Sequence, residues 1–490
     1  MKKSSLKRTS LKKNLALSMF YQILKIITPF ITAPYVSRVL GVANLGIYSA
    51  TNSIAMYFTL FGGLGTVTYG TREIARVRHD ENQRSQLFWE IEILSVITTT
   101  ISIVVWAIFT MFNTQYRGYY LVLTFNLLAV MFDISWFYAG IEKFQYTVGW
   151  NSFFKIASVI ALFIFVKKPS DLLVYMFIMA FQNFAGNVGM WTGLHKFVHK
   201  IDFKTVTLKK HFHETLVYFI PTIATSVYNV MDKTMIWVIT RNAKENGFYE
   251  NANKVLDMTK TLTFVALNSV MTSRISFLYA QERFDEIKEG IRNSIDYVLF
   301  MGIGFLFGLA GVAHVFVPVF FGKHWDKTAE LLIIMAPVVV IIGISNCLGA
   351  QYYTPSGRRK ESAKYIIIGA ITNFILNSFM IPFLQSYGAA IATVIAEVVI
   401  TFFYVKNDAG YLTWKDIFTR GWKKLIAGSC MFGAIMLVRL LIHQQVISLL
   451  LMIIVGVMVY VGILFMLKDS FMDTGKILLK VAKNKKKAKG

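Results

Sequence analysis

A chain of 490 residues that is 55% hydrophobic, 15% aromatic and only 16% charged is too apolar for an ordinary globular domain and has the composition of an integral membrane protein. The formal net charge of +24 raises the question of nucleic acid, but most Lys and Arg residues sit beside the ends of apolar runs. There they set topology and meet anionic lipid headgroups, so no nucleic-acid partner is expected.

A helix that crosses the hydrocarbon core needs roughly 20 mainly apolar residues, because no backbone group can stay unpaired there. In chain order, fourteen stretches meet this demand: 14–36, 46–70, 87–112, 117–140, 148–166, 171–194, 213–240, 250–280, 294–321, 328–353, 361–383, 387–406, 422–441 and 446–467. The first follows a basic arm. Its run is too long for a signal-peptide core, and no small-residue cleavage site stands out, so it is expected to be retained. With both termini on the cytoplasmic side, the inside segments hold about 36 Lys and Arg and the outside gaps about 8. That is the bias of the positive-inside rule. The tail from Lys480 to Lys489 reads as a disordered, membrane-adjacent segment.

The gaps exclude most enzymology. None exceeds about 20 residues apart from the termini, which leaves no room for a nucleotide-binding or glycosyltransferase domain. Neither a G-x-x-x-x-G-K-[ST] phosphate loop nor an H-E-x-x-H helix occurs. His211, His213 and Glu214 read as interfacial polar residues, and Cys347 and Cys430, both inside apolar runs, form no credible disulfide or metal site. The expectation is a transporter without a cofactor.

Internal repetition divides the chain. Gly46, Tyr48 and Asn52 after the first span recur at one constant offset as Gly247, Tyr249 and Asn253 after the seventh. The glycines suit a turn and the tyrosines the headgroup level. A six-plus-six duplication follows, with both halves inserted in one orientation. The predicted domains are a basic arm 1–13, an N-lobe 14–200, a C-lobe 201–408, the last two helices with their preceding loop 409–467, and a basic tail 468–490.

Charges within spans are expensive and usually face a bundle interior, a partner or a watery path. Lys25 lies in the first span, Lys155 in the fifth, Lys233 in the seventh, and Lys254, Lys260 and Arg274 in the eighth; the acids are Asp133, Asp232, Asp257 and Glu397. This cationic surplus suits an anionic headgroup, and Lys25, Lys233, Lys254 and Lys260 are the candidate substrate cations. Asp133 and Lys155 lie at one depth and read either as a structural pair or as part of transport. Lys25 has no local acid, which leaves substrate binding, snorkelling or a distant partner such as Glu397. The four acids are the candidate coupling or ion-pair residues. Coupling to a proton, to a monovalent cation or to the membrane potential is left open. Pro29, Pro34, Pro221, Pro337 and Pro382 interrupt predicted helices and permit bends.

Three motifs carry a resemblance to a known group: Gly46-x-Tyr48 with Gly62-Gly-Leu-Gly65 and Thr71-Arg-Glu-Ile-Ala75; Asp133-Ile-Ser-Trp136-Phe-Tyr-Ala-Gly140-Ile-Glu142-Lys-Phe144; and Tyr387-Gly-Ala-Ala-Ile-Ala-Thr393. In order and placement they resemble the bacterial polysaccharide-unit flippases, the Wzx type of the multidrug/oligosaccharidyl-lipid/polysaccharide (MOP) exporter superfamily. The resemblance implies an all-α membrane fold with two six-helix lobes around a cavity and two further C-terminal helices. It implies as substrate an undecaprenyl-pyrophosphate-linked oligosaccharide, turned from the inner to the outer leaflet of the bacterial plasma membrane. Polysaccharide polymerase machinery is then a candidate partner. In related lipid II flippases cations on the first and eighth helices line the cavity, which matches Lys25, Lys254 and Lys260 by helix and sign. A cation-coupled multidrug antiporter would share the fold but should favour an acidic or aromatic cavity. A membrane-embedded polymerase or ligase should carry a large external loop.

Overall fold

The computed structural model describes residues 11–472, so the expectations for most of the basic arm and tail lie outside the described residues. All regular structure among the described residues is helical. The helices are α1 Leu11–Gly63, α2 Thr66–Val77, α3 Glu81–Phe112, α4 Arg117–Met131, α5 Ser135–Gly140, α6 Phe144–Phe165, α7 Leu172–Met190, α8 Leu208–Thr240, α9 Ala243–Lys260, α10 Ala266–Ala280, α11 Phe284–Phe321, α12 Asp326–Met335, α13 Pro337–Leu348, α14 Arg359–Leu384, α15 Ser386–Lys406, α16 Trp414–Leu441 and α17 Gln445–Met466. One π-helical turn, Thr261–Val265, joins α9 to α10, and another, Gly349–Tyr353, follows α13.

Among the described residues, ten helices are long and apolar enough to span a membrane, or eleven when the bent pair α12 and α13 counts as one. All fourteen predicted stretches are helical, so the difference from fourteen has identifiable sources. The first two stretches fall in one element, α1, with a break at Gly41, where φ is 74°. The seventh and eighth, α8 and α9 to α10, carry too many polar residues to qualify by composition. Of the predicted proline bends, Pro337 opens α13 at a 42° bend, whereas Pro29 and Pro34 lie inside α1 and Pro382 inside α14.

Contacts group the chain into two compact units, residues up to Gly247 and residues from Phe248. In the first, α1 packs against α3, α4, α6 and α8, and α7 packs against α4 and α6. One of its cores joins Tyr69, Phe88, Ile134, Trp136, Tyr138 and Met190, all nearly fully buried. The resemblance motifs build this core: a Cβ on Gly70 would meet the Trp136 ring at 2.5 Å, and one on Gly140 would meet Ile74 at 2.6 Å. In the second unit α14 pairs with α15, α16 pairs with α17, and α11 packs against both α13 and α16. There the Lys424 ammonium, wholly buried, bonds Asp296 at 2.8 Å and Asp469 at 2.9 Å, tying α16 to α11 and to the chain after α17.

The repeated glycines have a different cause from the one the sequence suggests. Neither Gly46 nor Gly247 has a positive φ. Instead they allow a close crossing within the first unit. A Cβ on Gly46 would lie 1.6 Å from the Ala243 carbonyl oxygen, and one on Gly247 would lie 2.2 Å from that of Val42. The tyrosines also turn inward rather than to the headgroup level: Tyr48 packs edge-on against Tyr175 at 5.1 Å, and buried Tyr249 bonds Thr393 at 3.2 Å.

Candidate translocation site

The fourth span is discontinuous. Helix α4 ends at Met131 and α5 begins at Ser135, leaving Phe132, Asp133 and Ile134 outside regular helix. Asp133 accepts the Ser135 N–H at 2.9 Å, a local bond that competes with helix continuation and caps the second piece. The interruption frees carbonyls that must be satisfied in a dry interior. Helix α7 and the turn after it supply donors at and just before it: Asn187 Nδ2 to the Ala129 oxygen at 2.7 Å, and Trp191 Nε1 to the Phe132 oxygen at 3.0 Å. Irregular backbone at membrane depth is tolerated where it is buried in protein or lines a cavity.

A cavity lies beside this break. Its volume is about 360 Å³, and its polar lining comes from Tyr48, Asn52, Thr59, Asn126, Asp133, Asn183 and Asn187. The amides form a chain, Asn183 to Asn126 and Asn126 to Asn52, each at 3.4 Å. Such long, weak contacts leave the groups able to exchange partners. Each amide both donates and accepts, so the lining matches a ligand rich in hydroxyls. Sequence reasoning named Asn52 only as part of the repeat and missed Asn126, Asn183 and Asn187. The available signal was their placement inside apolar runs.

The candidate cations fall into two groups. In the first unit, the Lys25 ammonium sits 4.6 Å from the Tyr21 ring centroid, and Lys25 and Lys155 lie close enough to repel each other. Tyr21 in turn lies in the field of Asp133. The anticipated Asp133–Lys155 ion pair is not formed: the Asp133 carboxylate is engaged by Ser135, and neither Lys25 nor Lys155 makes an ion pair among the described residues. Equal depth along two helices fixes no direction around either of them. Lys233 follows Asp232, which is buried near Tyr57, on α8. Lys254 and Lys260 are offset on their own helix by Glu250 at 3.6 Å and by Asp257 at 3.1 Å. Glu397 is buried on α15 near Tyr404.

His211 departs furthest from expectation. It is 5% exposed, its Nδ1 meets the Tyr69 hydroxyl at 2.7 Å and its Nε2 meets Glu90 at 2.8 Å, while Glu90 also accepts the Thr207 N–H at 3.0 Å. This chain of bonds ties α2, α3 and α8 together. His213 and Glu214, by contrast, are exposed.

A polar cavity beside a broken helix, inside an all-helical, multi-pass assembly, is an arrangement that suits a membrane transporter. The family model described as polysaccharide biosynthesis protein matches residues 11–276, more than half of the chain, and the chain belongs to that family. It is 23% identical over 400 residues to a putative O-antigen transporter of Shigella dysenteriae, covering 81% of this chain and 99% of the relative. Its fold is similar to the lipid II flippase MurJ in an inward closed conformation, with a TM-score of 0.71 at 15% identity over 92% of this chain and 97% of that one. A multidrug resistance MATE family transporter of the MOP superfamily matches with a TM-score of 0.58 at 13% identity, over 85% and 98% of the two chains.

Proposed function

We propose that the protein is a flippase that carries an undecaprenyl-pyrophosphate-linked oligosaccharide repeat unit from the inner to the outer leaflet of the bacterial plasma membrane. The observation that carries this reading is the combination, in one unit, of an amide-lined cavity with two neighbouring lysines that have no acid partner among the described residues. Sugar hydroxyls suit the amides. A diphosphate suits Lys25 and Lys155, because an anion between two ammonium groups removes their mutual repulsion where water is scarce. Lys233 is a further candidate contact, while Lys254 and Lys260, already offset by local acids, are weaker ones. The family membership and the O-antigen transporter relative support the substrate class.

In this reading both termini and the basic gaps face the cytoplasm, the lipid tail stays in the bilayer, and alternating access exposes the cavity to each side in turn. Anionic lipids surround the basic segments, and polymerase machinery receives the product. The test uses vesicles containing the purified protein and a lipid-linked oligosaccharide, scored for externally accessible glycan. Lys25→Gln and Lys155→Gln are each expected to insert normally and to lower exposure at least tenfold, the loss of about 1.4 kcal/mol or more of phosphate interaction, while Lys25→Arg retains measurable transport. Undiminished flipping by both Gln variants removes the lysine pair from the mechanism.

A further inference from the structure

The two π-helical turns of the second unit come together. Thr261–Val265 precedes α10, Gly349–Tyr353 follows α13, and each turn packs against both of those helices. Single π turns of this kind are rare and gather at functional sites. Between them runs a chain of three amides. Gln351 Nε2, on the second turn, donates to Asn268 Oδ1 at 2.9 Å, and Asn268 Nδ2, near the start of α10, donates to Asn346 Oδ1 on α13 at 2.7 Å.

The chain has a fixed sense. Asn268 Nδ2 also lies 3.5 Å from the Asn346 backbone oxygen, which can only accept, so the nitrogen of Asn268 faces α13 and its oxygen faces Gln351. Asn346 therefore offers its oxygen to Asn268, and its Nδ2 donates to nothing among the described residues. At the other end Gln351 is fully buried and its Oε1 has no partner among the described residues. An unpaired buried oxygen costs stability, so packing alone does not explain the arrangement. Asn346 is exposed, while every other residue of α13 is buried or half-buried. Exposed large apolar side chains, as expected toward lipid, lie on other helices of the unit, such as Phe374, Ile375 and Phe379 on α14. An amide facing hydrocarbon would go unpaired, so Asn346 faces water.

We propose that Asn346 is a specificity contact for the glycan, its Nδ2 donating to an sp2 oxygen carried on a sugar ring, either the carbonyl of an acetamido group or the carboxylate of a uronic acid. In the first unit the cavity amides meet at 3.4 Å and can exchange partners, so hydroxyls, which both give and accept, satisfy them. In the second unit bonds of 2.7 and 2.9 Å hold the amides in one sense. A fixed donor end matches an oxygen that only accepts and discriminates against a sugar that lacks one. Asn268 and Gln351 are positioning residues that aim Asn346. The transport role of this contact rests on the flippase reading, but the binding preference does not.

The experiment compares three synthetic undecaprenyl-pyrophosphate disaccharides in vesicles holding the full chain: one with acetamido groups, one with a uronic acid and one with hydroxyls only. The wild type is expected to expose at least one of the first two about threefold or more faster than the third, the worth of one exposed hydrogen bond, and the favoured lipid identifies the oxygen. That ratio is expected to fall to one in Asn346→Leu, to survive in part in Asn346→Gln and to shrink in Gln351→Met, whatever each change does to the overall rate. Equal rates for the three lipids in the wild type, or an undiminished ratio in Asn346→Leu, overturns the proposal, and the wild-type rates decide it even when Asn346→Leu fails to fold. An undiminished ratio in Gln351→Met overturns the positioning role. The second arm needs no transport. With the protein in lipid nanodiscs, saturation-transfer NMR of the free disaccharides is expected to give a stronger signal for the same substituted sugar than for the hydroxyl-only one, and Asn346→Leu is expected to abolish the difference. Transport of none of the three lipids with this preference intact sinks the flippase reading and leaves the contact standing, whereas no transport and no preference overturns both.

Discussion

Single side chains carry much of this architecture through contacts that tolerate no replacement. At Gly46 the obstacle to a Cβ is the Ala243 carbonyl, a backbone atom that cannot rotate away. Gly46→Ala is therefore expected to force α1 and the start of α9 apart, at a cost of about 1–3 kcal/mol or more. Gly149→Ala supplies the control: nothing lies within 4 Å of the point its Cβ would occupy, and a helical Gly→Ala change there is expected to be neutral or stabilising by up to about 1 kcal/mol. Melting temperatures in detergent distinguish the two, and equal melting behaviour refutes the crossing. Lys424 gives a second case, since removing its charge leaves Asp296 and Asp469 buried together. Lys424→Met is expected to cost about 3–5 kcal/mol, and a further Asp469→Asn change should recover part of the loss. Additive losses in the double variant would show that the two groups act separately.

Among the elements, the loop between α15 and α16 shows how buried charge sets a pH dependence. Burial raises the Asp408 carboxyl to about 6 from 3.8, against the opposing pull of the Gly410 and Leu412 N–H groups and of Lys288. The folded state thus holds this proton more tightly than the unfolded chain. The contribution of Asp408 to stability is least favourable above pH 6 and improves as the pH falls through 6 toward 4. The melting temperature of the wild type relative to Asp408→Asn should accordingly rise over that interval; a flat difference contradicts the assignment. Elements also mark the limit of what the sequence disclosed. Apolar length placed helices in all fourteen predicted stretches, because membrane burial depends on a local sum. The break at Asp133 was hidden, since Phe132, Ile134 and Trp136 keep the run apolar while a side-chain bond to Ser135 ends the helix. Depth arithmetic set Asp133 and Lys155 at one height, but which neighbour a side chain faces depends on the azimuth of packed helices. For the same reason Glu92 and His211, which the sequence places only near a helix start or in a loop, are buried in the structure.

For the whole molecule the issue is which side each end occupies, because the proposed direction of transport depends on it. The charge bias is a sum over many loops, so inverting it would require most short basic segments to lie on the wrong side. The structure improves the choice of reporters. Asn246, which lies in a predicted outside gap, is buried, whereas Lys244 in the same gap is exposed, as are Asn82 at the start of α3 and Lys360 at the start of α14. In a background with Cys347→Ala and Cys430→Ser, single cysteines at these exposed positions are available to reagent on whichever side they face. An impermeant thiol reagent added to intact cells is expected to label Lys244→Cys and to leave Asn82→Cys and Lys360→Cys unlabelled until the membrane is opened. Two of these positions lie in the first unit and one in the second, so the set checks the orientation of both. The parity of spans links them. The predicted stretches from 87–112 to 213–240 separate Asn82 from Lys244, those from 250–280 to 328–353 separate Lys244 from Lys360, and each set is odd in number. A lost or added crossing in either set would put its two reporters on the same side. Labelling of all three sites in intact cells defeats the fourteen-span topology, whereas the reverse pattern keeps the span parity but inverts the orientation, and either result overturns the inner-to-outer direction of transport.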